Sequence, residues 1–206
     1  MKSILFVALF LTAISINAQE EPFNHETWKP PYQLPIPDGW SIERFPIPIE
    51  FAPSIVYHGV EDIRFTPGWG DPKSEQYWSY SFLWFLDGKE KFKAKTFESN
   101  LEAYYNGLVG RNIESRKIPS EKVFPVSAKV RKIKSQAGDT STYQGTIHML
   151  DYMEQKPIDM NCLIHVKSCG TDEKTYVFYE ISPQNSSHEV WTSMNEIWKE
   201  FRCSIQ

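Results

Sequence analysis

The aromatic-rich segment 76–86 predicts a central β-strand. It reads Gln-Tyr-Trp-Ser-Tyr-Ser-Phe-Leu-Trp-Phe-Leu and contains no proline, glycine or charged residue. Aromatic side chains favour strands, and successive strand residues point to opposite faces of a sheet. One predicted face is uniformly large and apolar, and is therefore expected to meet the main core. Its residues are Trp78, Tyr80, Phe82, Trp84 and Leu86.

The opposite face of this strand combines apolar groups with two small serines. Ser79 and Ser81 lie between Tyr77 and the apolar residues that follow. Because small side chains let another group approach the backbone closely, two interpretations stay open. The strand is either covered on both faces, or the serines form a notch that lines a ligand pocket. We take Tyr77, Ser79 and Ser81 as candidate ligand-binding residues.

A glycine- and proline-rich loop, residues 67–72, precedes the aromatic strand and follows a predicted half-buried strand at 61–66. The loop reads Pro-Gly-Trp-Gly-Asp-Pro, a composition typical of a tight turn. Trp69 stands at its centre. Such a tryptophan is either a binding tip or a lid on the core, and Trp69 is the fourth candidate ligand-binding residue.

The remaining pattern predicts a helix, four strands and a second helix. Helical spacing of apolar residues covers 96–109, where Gly107 or Gly110 is expected to end the helix, and recurs after residue 186. Short turns permit only antiparallel neighbours. The fold class is therefore predicted as α+β, with one large antiparallel β-sheet of about six to seven strands covered by two helices. The predicted strands of the second half are 126–136, 143–153, 160–167 and 174–181.

The N-terminal part of the chain divides into two segments ahead of a single α+β domain at 54–206. Residues 1–18 combine a positive start, a short apolar run and a small residue, which predicts a cleaved signal peptide. Residues 19–53 are rich in proline and aromatic residues, and are expected to drape over the domain as an arm. The predicted location is periplasmic or extracellular.

Charge and segment length limit the classes of partner. The net charge is −4, which predicts no nucleic-acid partner and no bulk attraction to anionic membranes. No segment after the signal peptide is long enough for a membrane span. Basic residues concentrate between Arg111 and Lys134. This stretch is either a polyanion patch or a set of lysines that guard a sheet edge.

The cysteine count predicts one disulfide and one free thiol. Export makes disulfides chemically possible, and three cysteines leave one unpaired. The C-terminal helix is expected to run antiparallel to the last strand, which brings its end beside the turn that holds Cys169. We therefore predict a Cys169–Cys203 disulfide and a buried Cys162 thiol, with three free thiols as the alternative.

Motifs of catalysis and metal binding are sparse. The sequence contains no Gly-x-Ser-x-Gly, His-Glu-x-x-His, Cys-x-x-Cys or phosphate-binding loop. A hairpin turn at 155–157 would place His148 opposite His165, which supplies two of the ligands that zinc or copper needs. Their predicted neighbours include no third ligand, so a structural role is favoured. We predict no metal and no cofactor.

The order of elements from Trp40 to Phe201 resembles the sandwich of the PsbP and Mog1 families. This resemblance implies a sheet flanked by helices and a non-enzymatic accessory or binding role, and it transfers no site residue. We therefore expect an exported non-enzymatic binding or accessory protein of the cell envelope. Its partner would be an unidentified protein, peptide or glycan. The alternative is a secreted hydrolase that acts on an envelope or extracellular polymer.

Overall fold

The computed structural model describes residues 23–25, 27–170 and 173–203. The predicted signal peptide at 1–18 lies outside the described residues. Within the described chain, seven strands form one antiparallel sheet in the order β1-β2-β3-β7-β6-β5-β4, with two α-helices. The predicted α+β class is confirmed. The elements are β1 (Ser41–Ile47), β2 (Gly59–Phe65), β3 (Tyr80–Asp87), α1 (Ala94–Ile113), a short 3-10 helix (Ser120–Lys122), β4 (Ser127–Ile133), β5 (Ser141–Asp151), β6 (Lys156–Lys167), β7 (Lys174–Ser182) and α2 (Glu189–Glu200).

Each face of the sheet carries its own core beneath one helix. Along β3, Phe82 and Trp84 belong to the core under α1, whereas Leu83 and Phe85 belong to the core under α2. Phe82 stacks on Tyr179 of β7 with ring centroids 4.4 Å apart. The strand is buried from Tyr80 to Leu86. This confirms β3 as a central strand whose aromatic face meets the main core.

The entry to β3 differs from the prediction. The strand begins at Tyr80 rather than at residue 76. Trp78 has a φ of 56°, in the left-handed region that non-glycine residues rarely adopt, and Ser79 N–H donates to the Gln76 carbonyl at 2.9 Å. This turn breaks the strand alternation. Tyr77 and Trp78 therefore share one core, although the pattern assigned them to opposite faces.

Helix α1 runs past the glycines that were expected to end it. Gly107 lies inside the helix, at the point where the loop after β1 packs directly on it and leaves no room for a side chain. A Cβ added at Gly107 would lie 1.8 Å from the carbonyl oxygen of Phe51, whereas one at Gly110 would meet nothing within 4 Å. The prediction that Gly107 or Gly110 ends the helix is wrong. Gly107 is instead the point of closest approach between helix and loop.

The β5–β6 hairpin is tighter than predicted. Its register pairs His148 with Asp159 and Thr142 with His165. Because β6 begins at Lys156, the turn comes earlier in the chain than the predicted turn at 155–157. The prediction that the two histidines face each other is therefore wrong.

Residues 28–35 of the N-terminal arm lie on the α2 face of the sheet, whereas residues 41–47 of the arm form β1. The Tyr32 ring packs against Phe85 and Phe201, with centroids 5.3 and 5.9 Å away. The buried Arg64 guanidinium donates to the carbonyl oxygens of Leu34 and Pro35 at 3.0 and 2.9 Å. Backbone pairing adds two hydrogen bonds between Gln33 and Arg202, at 2.9 and 3.0 Å.

The C-terminal helix and its disulfide agree with the predictions made from the sequence. Cys169 and Cys203 form a disulfide with 5.8 Å between their Cα atoms, and Cys162 is a buried free thiol. Both predictions are confirmed. The side chain of His188 caps the helix by accepting a hydrogen bond from the backbone N–H of Val190.

The basic stretch contributes to a sheet edge. β4 is the last strand of the sheet, and Lys129, Arg131 and Lys132 on it are exposed. This position is the one that the edge-guarding interpretation requires. None of the helices in the described residues is long and apolar enough to cross a membrane.

Candidate ligand-binding pocket

A cavity of about 500 Å³ opens on the α1 face of the sheet. We call it the aromatic pocket, because eight aromatic side chains contribute to its lining. Ligand pockets in proteins typically measure roughly 300–1,000 Å³, so the cavity is large enough for a small molecule. The eight residues are Phe45, Phe51, Phe65, Trp69, Trp78, Tyr80, Tyr104 and Tyr152.

The C-terminal half of α1 and the loop after β1 form two walls of the aromatic pocket. Tyr104, Leu108 and Arg111 of α1 all line the cavity, and their spacing puts them on one side of the helix. Phe51 of the loop meets Tyr104 edge-on with centroids 5.2 Å apart. The loop can approach this closely because residue 107 is glycine.

Trp69 and Trp78 form the wall at the entry to β3. Their rings meet edge-to-face with centroids 5.7 Å apart. The backbone N–H of Trp78 donates to the backbone carbonyl of Trp69 at 3.0 Å. Trp69 also packs on Phe65 at 4.6 Å, and Trp78 on Tyr152 at 5.2 Å. The glycine-rich loop therefore turns its tryptophan back toward the sheet.

The indole N–H groups of both wall tryptophans are unsatisfied. Trp69 Nε1 and Trp78 Nε1 are buried and have no hydrogen-bond partner among the described residues. A buried donor without a partner costs about 1–3 kcal/mol. Because neither nitrogen has appreciable accessible surface, both N–H groups are enclosed within the pocket wall.

Charged groups lie around the aromatic pocket on exposed positions. Glu43, Glu50 and Arg111 line the cavity and are exposed to solvent. The Arg111 guanidinium sits over the Phe51 ring at 5.3 Å from its centroid. The lining therefore combines an apolar, ring-rich interior with a polar rim of mixed charge.

A buried hydrogen-bond network supports the inner side of the pocket. Tyr80 and Tyr105 share a hydrogen bond with 2.5 Å between their hydroxyl oxygens, and Tyr104 donates to the Glu61 carboxyl at 2.8 Å. Burial raises the pKa of Glu61 to about 8, although hydrogen bonds from Tyr104 and Trp84 partly oppose this rise. The network holds Tyr80 and Tyr104 in position in the pocket wall.

The structure separates the four candidate ligand-binding residues. Trp69 lines the aromatic pocket, whereas Tyr77, Ser79 and Ser81 are buried outside its lining. The Tyr77 hydroxyl donates to Asp151 at 2.8 Å, and the Ser79 and Ser182 hydroxyls are 2.7 Å apart. Ser81 Oγ has no hydrogen-bond partner in the described chain. Ligand binding by these four residues stays a prediction.

Sequence reasoning missed most of the aromatic pocket. The pattern predicts that Trp78 and Tyr80 face a packed core and that Tyr104 lies on the apolar face of a helix. All three residues do belong to the core under α1, and they also line the pocket. The available signal was the loop itself, because tryptophans at 69 and 78 bracket a turn-rich segment of proline, glycine and serine. A short loop brings its two ends together, and with them the two indoles.

A second polar cluster lies on the α2 face, away from the aromatic pocket. The buried His165 contacts Asp139 through Nδ1 at 2.7 Å and Glu180 through Nε2 at 3.1 Å. Trp198 of α2 donates to Asp139 at 2.8 Å. Both imidazole nitrogens are therefore occupied by carboxylates, and the cluster ties α2 to the sheet. Within residues 23–25, 27–170 and 173–203, no group of three or more His, Cys, Asp or Glu could hold a metal ion.

Comparison of this chain with family models, with curated proteins and with solved structures returned no match. The resemblance to the PsbP and Mog1 families therefore stays a prediction.

Proposed function

We propose that this chain is an exported, non-enzymatic binding protein of the cell envelope that holds a small ligand in the aromatic pocket. The observation that carries the proposal is a cavity of about 500 Å³ lined by eight aromatic side chains. The ring-rich interior suits a flat, apolar body, because such a body stacks on aromatic faces and edges. The exposed charges at the rim remain in water when the ligand is bound.

The size of the cavity supports ligand binding over simple packing. Protein interiors are close-packed, and voids larger than a water molecule are few. Apolar surface left in contact with water costs roughly 25 cal/mol per Å². A bound apolar molecule removes this surface from water, so an aromatic lining of this extent favours an occupant.

Two features support export. The segment 1–18 has the composition of a signal peptide, and Cys169 and Cys203 form a disulfide. Disulfides form and persist in oxidising compartments, which include the periplasm and the extracellular space. A periplasmic or extracellular location accounts for both features.

The contacts of the histidines favour binding over the alternative of hydrolysis. A general base must present a free nitrogen or carboxylate to the reacting group. Both nitrogens of His165 contact carboxylates, and His148 contacts Asp159 on the exposed surface. No histidine of the described chain lines the aromatic pocket, and the carboxylates that do, Glu43 and Glu50, are exposed at its rim.

A thermal-shift screen with a cavity-filling variant tests the proposal. Leu108→Trp adds a large ring inside the aromatic pocket, whereas Ser99→Trp adds the same ring on the exposed face of α1. A ligand present at a hundredfold excess over its Kd stabilises the folded state by about 2.7 kcal/mol. We expect small planar compounds to raise the melting temperature of the native chain and of Ser99→Trp.

Leu108→Trp should lose this response while it keeps its own cooperative melt. A set of compounds that stabilises Leu108→Trp as strongly as the native chain would contradict the proposal. So would a broad set of planar compounds that stabilises none of the three proteins. Circular dichroism is the suitable readout, because the added tryptophans alter fluorescence.

A further inference from the structure

A polar groove runs along the α2 face of the sheet, away from the aromatic pocket. Helix α1 packs on β4 and β5 from one side, whereas α2 packs on β7 from the other. Two cavities of about 290 and about 560 Å³ open beside α2 and share Gln144 and Asn161 in their lining. We call them together the amide groove, because five amide side chains line it: Gln136, Gln144, Asn161, Asn185 and Asn195.

The register of the strands places polar side chains next to one another on the floor of the amide groove. Arg131 of β4 lies opposite Gln144 of β5, and Lys129 lies opposite Thr146. Thr146 in turn lies opposite Asn161 of β6. Residues directly opposite one another share a face of the sheet. A sheet face that packs on protein is usually apolar, so this polar face suits water or a polar ligand.

The amide groups of the floor keep hydrogen-bonding capacity for a ligand. Gln144 is exposed, and its Oε1 accepts from Arg131 Nη2 at 2.8 Å. The half-buried Asn161 donates through Nδ2 to the Gln184 carbonyl at 3.0 Å. One amide therefore retains its NH₂ group and the other its oxygen. Neighbouring hydroxyls of a sugar ring both donate and accept, so they match such a pair.

Trp191 of α2 supplies an apolar wall beside these amides. It is half-buried and lines the groove, and its Nε1 donates to the Gln184 carbonyl at 3.2 Å. Because Asn161 donates to the same carbonyl, the indole is fixed close to the floor. An indole combines a large apolar surface with a π face that attracts the positive edges of C–H groups. The C–H face of a sugar ring fits this surface.

The charges of the amide groove favour an anion. Lys129, Arg131 and Lys199 line it on exposed positions. Among the described residues of the lining, Glu180 is the only carboxylate, and it is buried with Oε1 3.1 Å from His165 Nε2. Complementary charge steers a ligand and sets its specificity. Guanidinium groups also bind carboxylates through two parallel hydrogen bonds.

We propose that the amide groove binds an acidic oligosaccharide, a chain of sugar rings that carry carboxylates, as in uronic acids. The floor amides pair with the sugar hydroxyls, and Trp191 packs on a C–H face. Lys129, Arg131 and Lys199 face the carboxylates. This site is separate from the aromatic pocket, so the inference does not depend on the small ligand proposed there.

The geometry favours a sugar chain over a peptide or a nucleic acid. An extended peptide gains most by adding a strand to a free sheet edge, whereas β5 and β6 are paired on both sides. Single-stranded nucleic acid stacks successive bases on several aromatic side chains. Among the described residues that line the groove, Trp191 is the only aromatic one.

Matched pairs of uronate tetrasaccharides and their methyl esters test the proposal. Isothermal titration calorimetry of the mature chain with tetramers of galacturonate, mannuronate and guluronate gives three dissociation constants. The esters keep the rings and hydroxyls but lose the charge. We expect at least one acid to bind, and its ester to bind roughly tenfold more weakly, because charge-assisted hydrogen bonds are the stronger ones.

Substitutions at exposed positions identify the contacts. Arg131→Gln and Lys199→Gln should each weaken binding of the acid by roughly three- to tenfold. Lys73→Gln removes an equal charge from an exposed position outside the groove lining, and should leave binding unchanged. Trp191→Ala should weaken acid and ester alike. If Trp191→Ala fails to fold in a thermal melt, the two exposed cations still provide the test.

Four outcomes would overturn the inference. The first is that none of the three acids binds, and the second is that an acid and its ester bind equally. The third is that tetraglutamate binds as tightly as the best acid, which would make the groove a general anion site. The fourth is loss of binding in Leu108→Trp, which fills the aromatic pocket and leaves the groove untouched. The planar compounds that test the proposed function are a separate measurement, so either proposal can fail alone.

Discussion

The indole of Trp84 donates a hydrogen bond to the buried carboxyl of Glu61, with 2.9 Å between Nε1 and Oε2. Tyr104 donates to the other carboxyl oxygen at 2.8 Å. Burial raises the pKa of Glu61 to about 8 despite these two hydrogen bonds. The folded protein therefore keeps a mostly protonated carboxyl beside the aromatic pocket at neutral pH.

This carboxyl predicts that stability falls as pH rises. In the unfolded chain Glu61 loses its proton near its ordinary pKa of about 4.5, whereas the folded chain retains it up to about pH 8. Unfolding between these values releases a proton, so rising pH favours the unfolded state. The free energy of unfolding should fall by up to roughly 4 kcal/mol across this range, since one pKa unit corresponds to about 1.4 kcal/mol.

Urea denaturation of Glu61→Gln checks this prediction. The variant cannot titrate at this position, so its loss of stability between about pH 4.5 and about pH 8 should be smaller than that of the native chain. Glu121→Gln changes an exposed carboxylate and serves as the control. Identical pH dependence in the native chain and Glu61→Gln would contradict the assignment.

His165 predicts a second pH-dependent contribution. Burial by itself lowers the pKa of His165, but the hydrogen bonds with Asp139 and Glu180 outweigh it and raise the pKa above its ordinary value of 6.5. The stabilisation is therefore fully present below about pH 6.5 and is lost as pH rises through the raised pKa. His165→Gln would remove the imidazolium from between two buried carboxylates and should destabilise the fold by roughly 3–5 kcal/mol.

Chemical denaturation of His165→Gln and His148→Gln tests this role. His148 is exposed and pairs with an exposed Asp159, so its replacement should change stability by less than roughly 1 kcal/mol. Nuclear magnetic resonance titration of the His165 ring gives its pKa directly. A ring that titrates below its ordinary value would show that burial outweighs the carboxylates.

Gly107 and Gly110 form a matched pair on one helix. A Cβ at residue 107 would collide with the Phe51 carbonyl oxygen, whereas one at residue 110 would lie in open space. Gly107→Ala should therefore destabilise by roughly 1–3 kcal/mol through overpacking. Gly110→Ala should stabilise by up to about 1 kcal/mol, because alanine is the better helix former.

The same pair tests the shape of the aromatic pocket. Gly107→Ala displaces the loop that carries Phe51 and should weaken binding of a planar probe, while Gly110→Ala should leave it unchanged. Thermal melts and equilibrium dialysis give both quantities. Equal stability of the two variants would show that the loop does not rest on the helix.

The Cys169–Cys203 disulfide predicts sensitivity to reductant. It closes a loop with a sequence separation of 34 residues. In the chain-entropy model such a cross-link stabilises the folded state by about 4 kcal/mol. Denaturation with and without reductant should reveal this difference in the native chain.

The variant that carries both Cys169→Ser and Cys203→Ser provides the control, because reductant has no disulfide to open there. Cys162 should not exchange with the disulfide, since burial raises the pKa of its thiol to about 12 and leaves little thiolate. An unreduced digest that lacks the cross-linked peptide would contradict the assignment. Equal stability of the native chain with and without reductant would also contradict it.

The sequence by itself determined the class of fold, because that class follows from local periodicity. Alternation in β3 separated Phe82 from Leu83, and short turns forced the later strands to be antiparallel. The Cys169–Cys203 disulfide followed from the same reasoning, since an antiparallel helix returns to the start of the strand before it. These features depend on periodicity within one element or on the turn between consecutive elements.

Only the tertiary structure decided the pocket, the hairpin register and the role of Gly107. Periodicity reports which face of an element is apolar, but not whether two apolar faces meet or leave a gap between them. The gap beside Tyr104 depends on how closely the loop at Phe51 approaches α1, and the wall depends on the left-handed turn at Trp78. The first is a contact between segments distant in sequence, and the second is a local exception to the pattern. The pattern alone could therefore predict neither.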